Sequence, residues 1–229
     1  MRSNNRIDRT GRPAWSRQIG FALAVLAVVG AAAPALAQTA LPANTQVNAA
    51  SFNPAGGTLL ASLNAPFTTA SYTGSLRAAV VRNEANTLDF YYQVTNGANS
   101  LTSLGRETNF NFNGFTTSVF FRTDAAPAVG GGFVAGTETP DTADRDNGGV
   151  VGFNFLVGPT GGPSGKIDPG ETSSILVVRT NATLFAPGVS SVINGSATSV
   201  VTFQPVVPEP ASLGLLAAGS LMALRRRRR

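Results

Sequence analysis

The chain has 229 residues, 43% of them apolar, a net charge of +5 and a pI near 10.7, and it contains neither histidine nor cysteine. Those two absences remove Ser-His-Asp and Cys-His catalysis, most zinc, copper and iron–sulfur sites, and disulfide bracing. The basic balance would ordinarily suggest a nucleic-acid partner, but it belongs to the two ends of the chain and not to its body.

Residues 1–18 carry Arg2, Arg6, Arg9, Arg12 and Arg17 against one acid, Asp8. An apolar segment from Ile19 to Ala33 follows, and then Ala35-Leu36-Ala37 before Gln38. A basic start, a short apolar helix and an A-x-A site compose a secretory signal peptide over 1–37, with Ala35, Ala37 and Gln38 forming the cleavage site for signal peptidase. The alternative is an uncleaved N-terminal anchor. The small residues at the site favour cleavage.

Residues 38–53, rich in Ala, Asn, Thr and Pro, read as a flexible lead-in. From there strand signals recur. Ser75 to Arg82 is a short alternating run. Leu88 to Val94 sets Leu88, Phe90, Tyr92 and Val94 on one face and Asp89, Tyr91 and Gln93 on the other, the period of a half-buried strand, and Asn96-Gly97 stops it. Further runs are Asn109 to Asn113, Thr116 to Arg122, Val150 to Val157, Ser174 to Thr180 and Thr198 to Phe203. Pro169-Gly170 suits the centre of a type II turn. No body segment holds a helical period, so 54–205 is expected to be one antiparallel β-sandwich domain in an all-β protein.

The tail, 206–229, begins with Val207-Pro208-Glu209-Pro210, continues with fourteen uncharged residues from Ala211 to Leu224, and ends in Arg225, Arg226, Arg227, Arg228 and Arg229. Pro210 suits a first helical position, and Glu209 and the arginines complement the two ends of a helix dipole. At about 1.5 Å per residue the run spans roughly 21 Å, short of a bilayer core of roughly 30 Å. Flanking valines and snorkelling arginine stems extend it. A terminal core helix is the alternative, but five consecutive arginines resist burial and act as a cytoplasmic stop signal. A C-terminal transmembrane helix anchored in the inner membrane is therefore expected. With positive charge held in the cytoplasm at both ends, the body is placed outside.

The Val-Pro-Glu-Pro motif, the short apolar segment and the arginine cluster together resemble the PEP-CTERM sorting signal of Gram-negative bacteria (compare other sorting motifs). The resemblance implies recognition by an exosortase, a membrane-embedded transpeptidase-like enzyme that processes the tail, often in bacteria that make exopolysaccharide. It further implies a protein destined for the cell surface or the extracellular space. Leu88–Asn96 and Ile167–Thr180 also resemble exported β-sandwich bodies that carry this tail, and no functional residues come with that likeness.

Between the two ends, from Gln38 to Val207, seven basic residues face ten acids, leaving −3. The body is mildly acidic, and no nucleic-acid partner is expected. Pairs drawn from Glu84, Asp89, Glu107, Glu138 and Glu171 would have the residue types for glycoside hydrolysis, but none lies in a motif, and carboxylates beside turns are usually solvated. Asp141, Asp144, Asp146 and Asn147, followed by Gly148-Gly149, supply oxygen ligands on a tight turn suited to calcium. They depart from an EF-hand, since the twelfth position counted from Asp144 is Phe155. Without calcium they are a polar loop, and no other cofactor is implied. Tyr91, with Tyr72 and Phe115, offers aromatic faces for sugar rings, although aromatics in strands are more often core. Asn181-Ala182-Thr183 and Asn194-Gly195-Ser196 match a glycosylation pattern by chance. The expected role is a non-enzymatic surface or extracellular-matrix component associated with exopolysaccharide. A carbohydrate- or ligand-binding module, with or without calcium, is the first alternative and a glycoside hydrolase the second.

Overall fold

The computed structural model describes residues 38–126, 129–155 and 165–207. The expected signal peptide, with Ala35 and Ala37, lies outside these residues. So do Pro208, Glu209, Pro210, the apolar run and Arg225 to Arg229. Every regular element among the described residues is a strand: β1 Thr39–Ala40, β2 Thr45–Asn48, β3 Thr58–Thr68, β4 Thr73–Arg82, β5 Leu88–Asn96, β6 Arg106–Asn109, β7 Thr117–Arg122, β8 Thr142–Arg145, β9 Val151–Asn154, β10 Ile175–Thr180, β11 Leu184–Asn194 and β12 Ser196–Val206. They form two six-stranded antiparallel sheets, sheet A in the order β1-β7-β10-β5-β4-β3 and sheet B in the order β12-β11-β6-β9-β8-β2.

The sheets face each other across one core, a β-sandwich. Leu76, Val80, Phe90, Tyr92, Leu176 and Val178 of sheet A meet Val151, Phe153, Val192 and Val200 of sheet B, all buried. Alternation selects these residues, because every second side chain of a strand points to the same face. Phe90 is edge-on to Phe112, with ring centroids 5.6 Å apart, an arrangement that aromatic quadrupoles favour.

The expected runs at Ser75, Leu88, Thr116, Ser174 and Thr198 all lie on strands, and Val151–Asn154 is the strand part of the Val150 run. At Pro169-Gly170 the type II turn is present. Glu171 N donates to Asp168 O at 2.9 Å, and Gly170 takes φ +91°, a value that disfavours any side chain. The Asn109–Asn113 reading requires correction. The strand is Arg106–Asn109, and the chain then turns through Asn111 at φ 70° to drop Phe112 into the core. Its alternation is that of a loop that buries Phe112 and leaves Phe110 half-buried.

The lead-in reading of 38–53 is also corrected. β1 pairs with β7 at the edge of sheet A, and β2 pairs with β8 at the edge of sheet B. Leu41 between them is fully buried. Two open strand edges supply the backbone partners that make this polar segment regular. β3 and β11 escaped a reading from alternation because each carries a proline, Pro66 and Pro187, within a run of small side chains.

The largest departure concerns the outer face of sheet A. Asp89, Tyr91 and Gln93, expected on a solvated face, are all buried. The connection from β7 to β8 crosses that face as a strap. Its Ala126, Val129 and Phe133 make a second apolar cluster with Ala79, Val81, Tyr91, Phe120, Ile175 and Val177. Gln93 pins the strap by donating to Val134 O at 2.7 Å and accepting from Val134 N at 3.1 Å, and Arg77 donates to Gly131 O at 3.0 Å. Arg122 lies fully buried under it, in a bidentate pair with Asp124 at 2.7–2.9 Å and bonded to the Tyr91 hydroxyl at 3.2 Å.

Candidate functional site

A cleft of about 550 Å³ opens where three segments meet. These are residues 52–56 on the way into β3, the β4–β5 turn at 83–87, and the end of β10 at Arg179 and Thr180. Its volume lies in the usual range for small-molecule sites, roughly 300–1,000 Å³.

The floor is built on a cross-strand pair. Asp89 of β5 stands directly opposite Arg179 of β10. Its carboxylate, 1% exposed, accepts from Arg179 Nε at 2.9 and 3.1 Å and from Nη2 at 2.7 Å. The guanidinium also lies over the Phe120 ring, 5.4 Å from its centroid. Such a forked pair fixes the direction of the arginine as well as its charge. Asp89 further accepts from Asn83 Nδ2 at 2.7 Å. Asn83 Oδ1 in turn accepts from the backbone of Ala85 at 3.0 Å and of Thr87 at 3.2 Å, so one buried acid holds both the arginine and the turn. Phe52, edge-on to Phe120 at 5.2 Å, supplies an aromatic wall. Glu84 is exposed at the rim and reaches across towards Gly56, where a Cβ would stand only 2.8 Å from its Oε1.

The other acids weighed for hydrolysis are scattered. Glu107 points between the sheets. Glu138 Oε2 accepts from Gly165 N at 3.0 Å, and Glu171 Oε2 accepts from Asp168 N at 2.9 Å. Only Glu84 lines the cleft, with Asp89 beneath it and occupied by Arg179 and Asn83.

Glu107 is fully buried, hydrogen-bonded to Asn109 at 2.8 Å, with its Oε1 lacking a partner. Burial pushes its carboxyl up to about 8, against smaller downward pulls from Asn109 and the Arg106 charge. It therefore keeps its proton at neutral pH, in a polar pocket with Asn109, Ser190 and Thr202 inside the sandwich.

The residues of the expected calcium loop are not gathered. Asp141 lies before β8, Asp144 on it, and Asp146 and Asn147 in the turn that follows. Arg106 and Asn154 occupy the Asp144 carboxylate, Arg106 Nη2 at 2.7 Å and Asn154 Nδ2 at 2.7 Å. Burial pushes that carboxyl up, but the bonds from Arg106 and Asn154 and the Arg106 charge outweigh it and hold it below the usual range. Asp146 turns back on its own loop to accept from Val150 N at 2.7 Å, and Asn147 accepts from Asn44 at 2.7 Å. Among the described residues no three His, Cys, Asp or Glu side chains come together to hold a metal ion.

Nor is the Tyr91, Tyr72 and Phe115 platform assembled. Tyr91 is under the strap. Tyr72 is buried with its hydroxyl within hydrogen-bond distance of two carbonyls, Val192 O at 3.0 Å and Ser196 O at 2.9 Å, and Phe115 is half-buried. The aromatic that does line the cleft, Phe52, carried no sequence signal, because its segment alternates with nothing. Asp89 inside an apolar strand was a visible clue. A charge in a run that folds into a sheet centre needs a partner, and only the register identifies Arg179.

β12 ends at Val206, the residue at which the sorting segment begins, so the folded body runs straight into it. Val207 is described and exposed. No curated protein and no solved structure matches the chain. A family model matches it over residues 206–229, covering the tail and none of the body before β12's last residue. That segment of the chain is a PEP-CTERM protein-sorting motif.

Proposed function

We propose that this is an exported, non-enzymatic component of the cell surface or extracellular matrix, sorted through its tail by an exosortase and associated with exopolysaccharide. The signal peptide carries the chain out, signal peptidase trims it, and the apolar run and arginines hold it in the inner membrane of a Gram-negative bacterium until processing. The observation that carries the reading is the sorting motif at 206–229, directly after β12. The scattering of Glu107, Glu138 and Glu171 away from the cleft supports a body without hydrolytic chemistry. Its acidic charge, −3 from Gln38 to Val207, supports the absence of a nucleic-acid partner.

Replacing Pro208-Glu209-Pro210 by three alanines tests it. Export should continue while the tail stays attached, seen as a mature form larger by the unprocessed segment. Maturation identical to the wild type would refute exosortase recognition. A second reading, a ligand-binding body, is favoured by the Asp89-Arg179 cleft.

A further inference from the structure

We infer that the cleft between residues 52–56, the 83–87 turn and Arg179 binds a neutral, polyhydroxylated ligand, a sugar ring. The inference deepens the ligand-binding reading of the body and does not depend on how the tail is sorted.

Three observations carry it. First, the floor is organised beyond what an ion pair requires. Asp89 uses its two oxygens to fix Arg179 and Asn83 together, leaving Arg179 Nη1 without a protein partner among the described residues, on a side chain still 23% exposed. Second, Glu84 lines the same cleft with no hydrogen bond or ion pair to any described residue. A pair that served only to brace two neighbouring strands of sheet A would need neither the free nitrogen nor the carboxylate across from it. Third, Phe52 gives the cleft an aromatic wall beside these polar groups.

Charge then selects the ligand class. Asp89 already neutralises Arg179, and Glu84 adds a negative charge at the rim, so an anion gains little and meets repulsion. A cation would find only Glu84, an exposed carboxylate whose pairing in water is worth little, since Arg179 and Asn83 already occupy Asp89. What remains is directional: N–H donors at the floor, a carboxylate acceptor at the mouth, and an apolar face between them. Sugar hydroxyls donate to carboxylates and accept from guanidinium, while the C–H face of the ring packs on an aromatic. The anchored donors are positioned before binding, which reduces the ordering cost on association.

The test uses the full-length chain in a zwitterionic detergent that has no sugar headgroup. Saturation-transfer NMR is run with methyl β-D-glucopyranoside, methyl α-D-mannopyranoside, cellotetraose and maltotetraose, each at about 10 mM, ten times a weak-site Kd of about 1 mM. At least one should receive saturation, strongest at its ring C–H protons. Glu84→Ala, which removes an exposed acid, and Ala55→Trp, which fills the cleft from an exposed position, should each reduce the signal at least tenfold without changing the melting temperature. Binding of the methyl glycosides would identify a single sugar as the ligand, and binding of the tetrasaccharides alone would identify a polymer chain. No transfer from any of the four would overturn the inference. So would a signal that survives both variants, or stronger binding of acetate or inorganic phosphate than of the sugars.

Discussion

Sheets A and B have the same number of strands and share one core, yet they meet their surroundings in opposite ways. Sheet A is buried on both faces. Tyr91, Val177 and Phe120 form a row on its outer side that the strap covers with Val129 and Phe133. Among the described residues sheet B has no second apolar cluster on its outer face. Its outer face carries Val189 and Val201, 45% and 59% exposed and directly paired, and the half-buried Arg106-Asp144-Asn154 cluster. The inner face of sheet B is in turn the more polar of the two, holding Glu107, Asn109, Ser190 and Thr202. Burial on two sides lets sheet A place an acid such as Asp89 where water cannot screen it, and there it becomes the anchor of a cleft. A sheet open on one side has no such position on its outer face.

Removing the cover from sheet A should have the largest effect. Phe133→Ala deletes a buried ring that packs 6.0 Å from Tyr91. It is expected to cost about 3 kcal/mol in chemical denaturation and to open the strap to limited proteolysis. A loss below about 1 kcal/mol, with the strap still protected, would mean that the outer cluster contributes little beyond surface packing.

Glu107 sharpens the contrast between the inner faces. Its folded carboxyl, near 8, lies above the ordinary value, so from about pH 4.5 to 8 the native state keeps a proton that the unfolded chain has released. Stability from this group is therefore complete below that window. It falls by about 1.4 kcal/mol per pH unit as pH rises through it. Glu107→Gln keeps the shape and cannot ionise, so the difference between the two proteins' stability curves should show that slope. Parallel curves from pH 5 to about 8 would place the proton elsewhere.

The smallest effect is expected on the open face. Val201→Thr exchanges an exposed methyl for a hydroxyl on a β-branched side chain, and the change in stability should stay within about 0.5 kcal/mol. A larger loss would show that the outer face of sheet B is covered in the intact protein.

Much of the fold was legible from local pattern. Leu88, Phe90, Tyr92 and Val94 declared a strand face by alternation, and Pro169-Gly170 declared its turn, since both are decided within a few residues. β1 and β2 were not legible, because Thr39–Ala40 and Thr45–Asn48 become strands only when the edges of β7 and β8 are there to bond them. The hairpin of β11 and β12 turns at Gly195, at φ 69° between the paired Asn194 and Ser196, a position that the match to a glycosylation pattern hid. For the cleft, Glu84 and Asp89 stood out as acids. Nothing in their spacing tied them to Arg179, ninety residues away in the chain.

By itself the sequence determined the sorting motif and the all-β character of the body, since a Pro-Glu-Pro motif, a charge block and a two-residue period are properties of short contiguous stretches. Only the tertiary structure decided which sheet is covered twice, which acid becomes buried, and where Arg179, Phe52 and Glu84 converge. Those outcomes depend on strand register and on a strap laid across neighbouring strands. Both are relations between distant segments, set by packing that no local stretch contains.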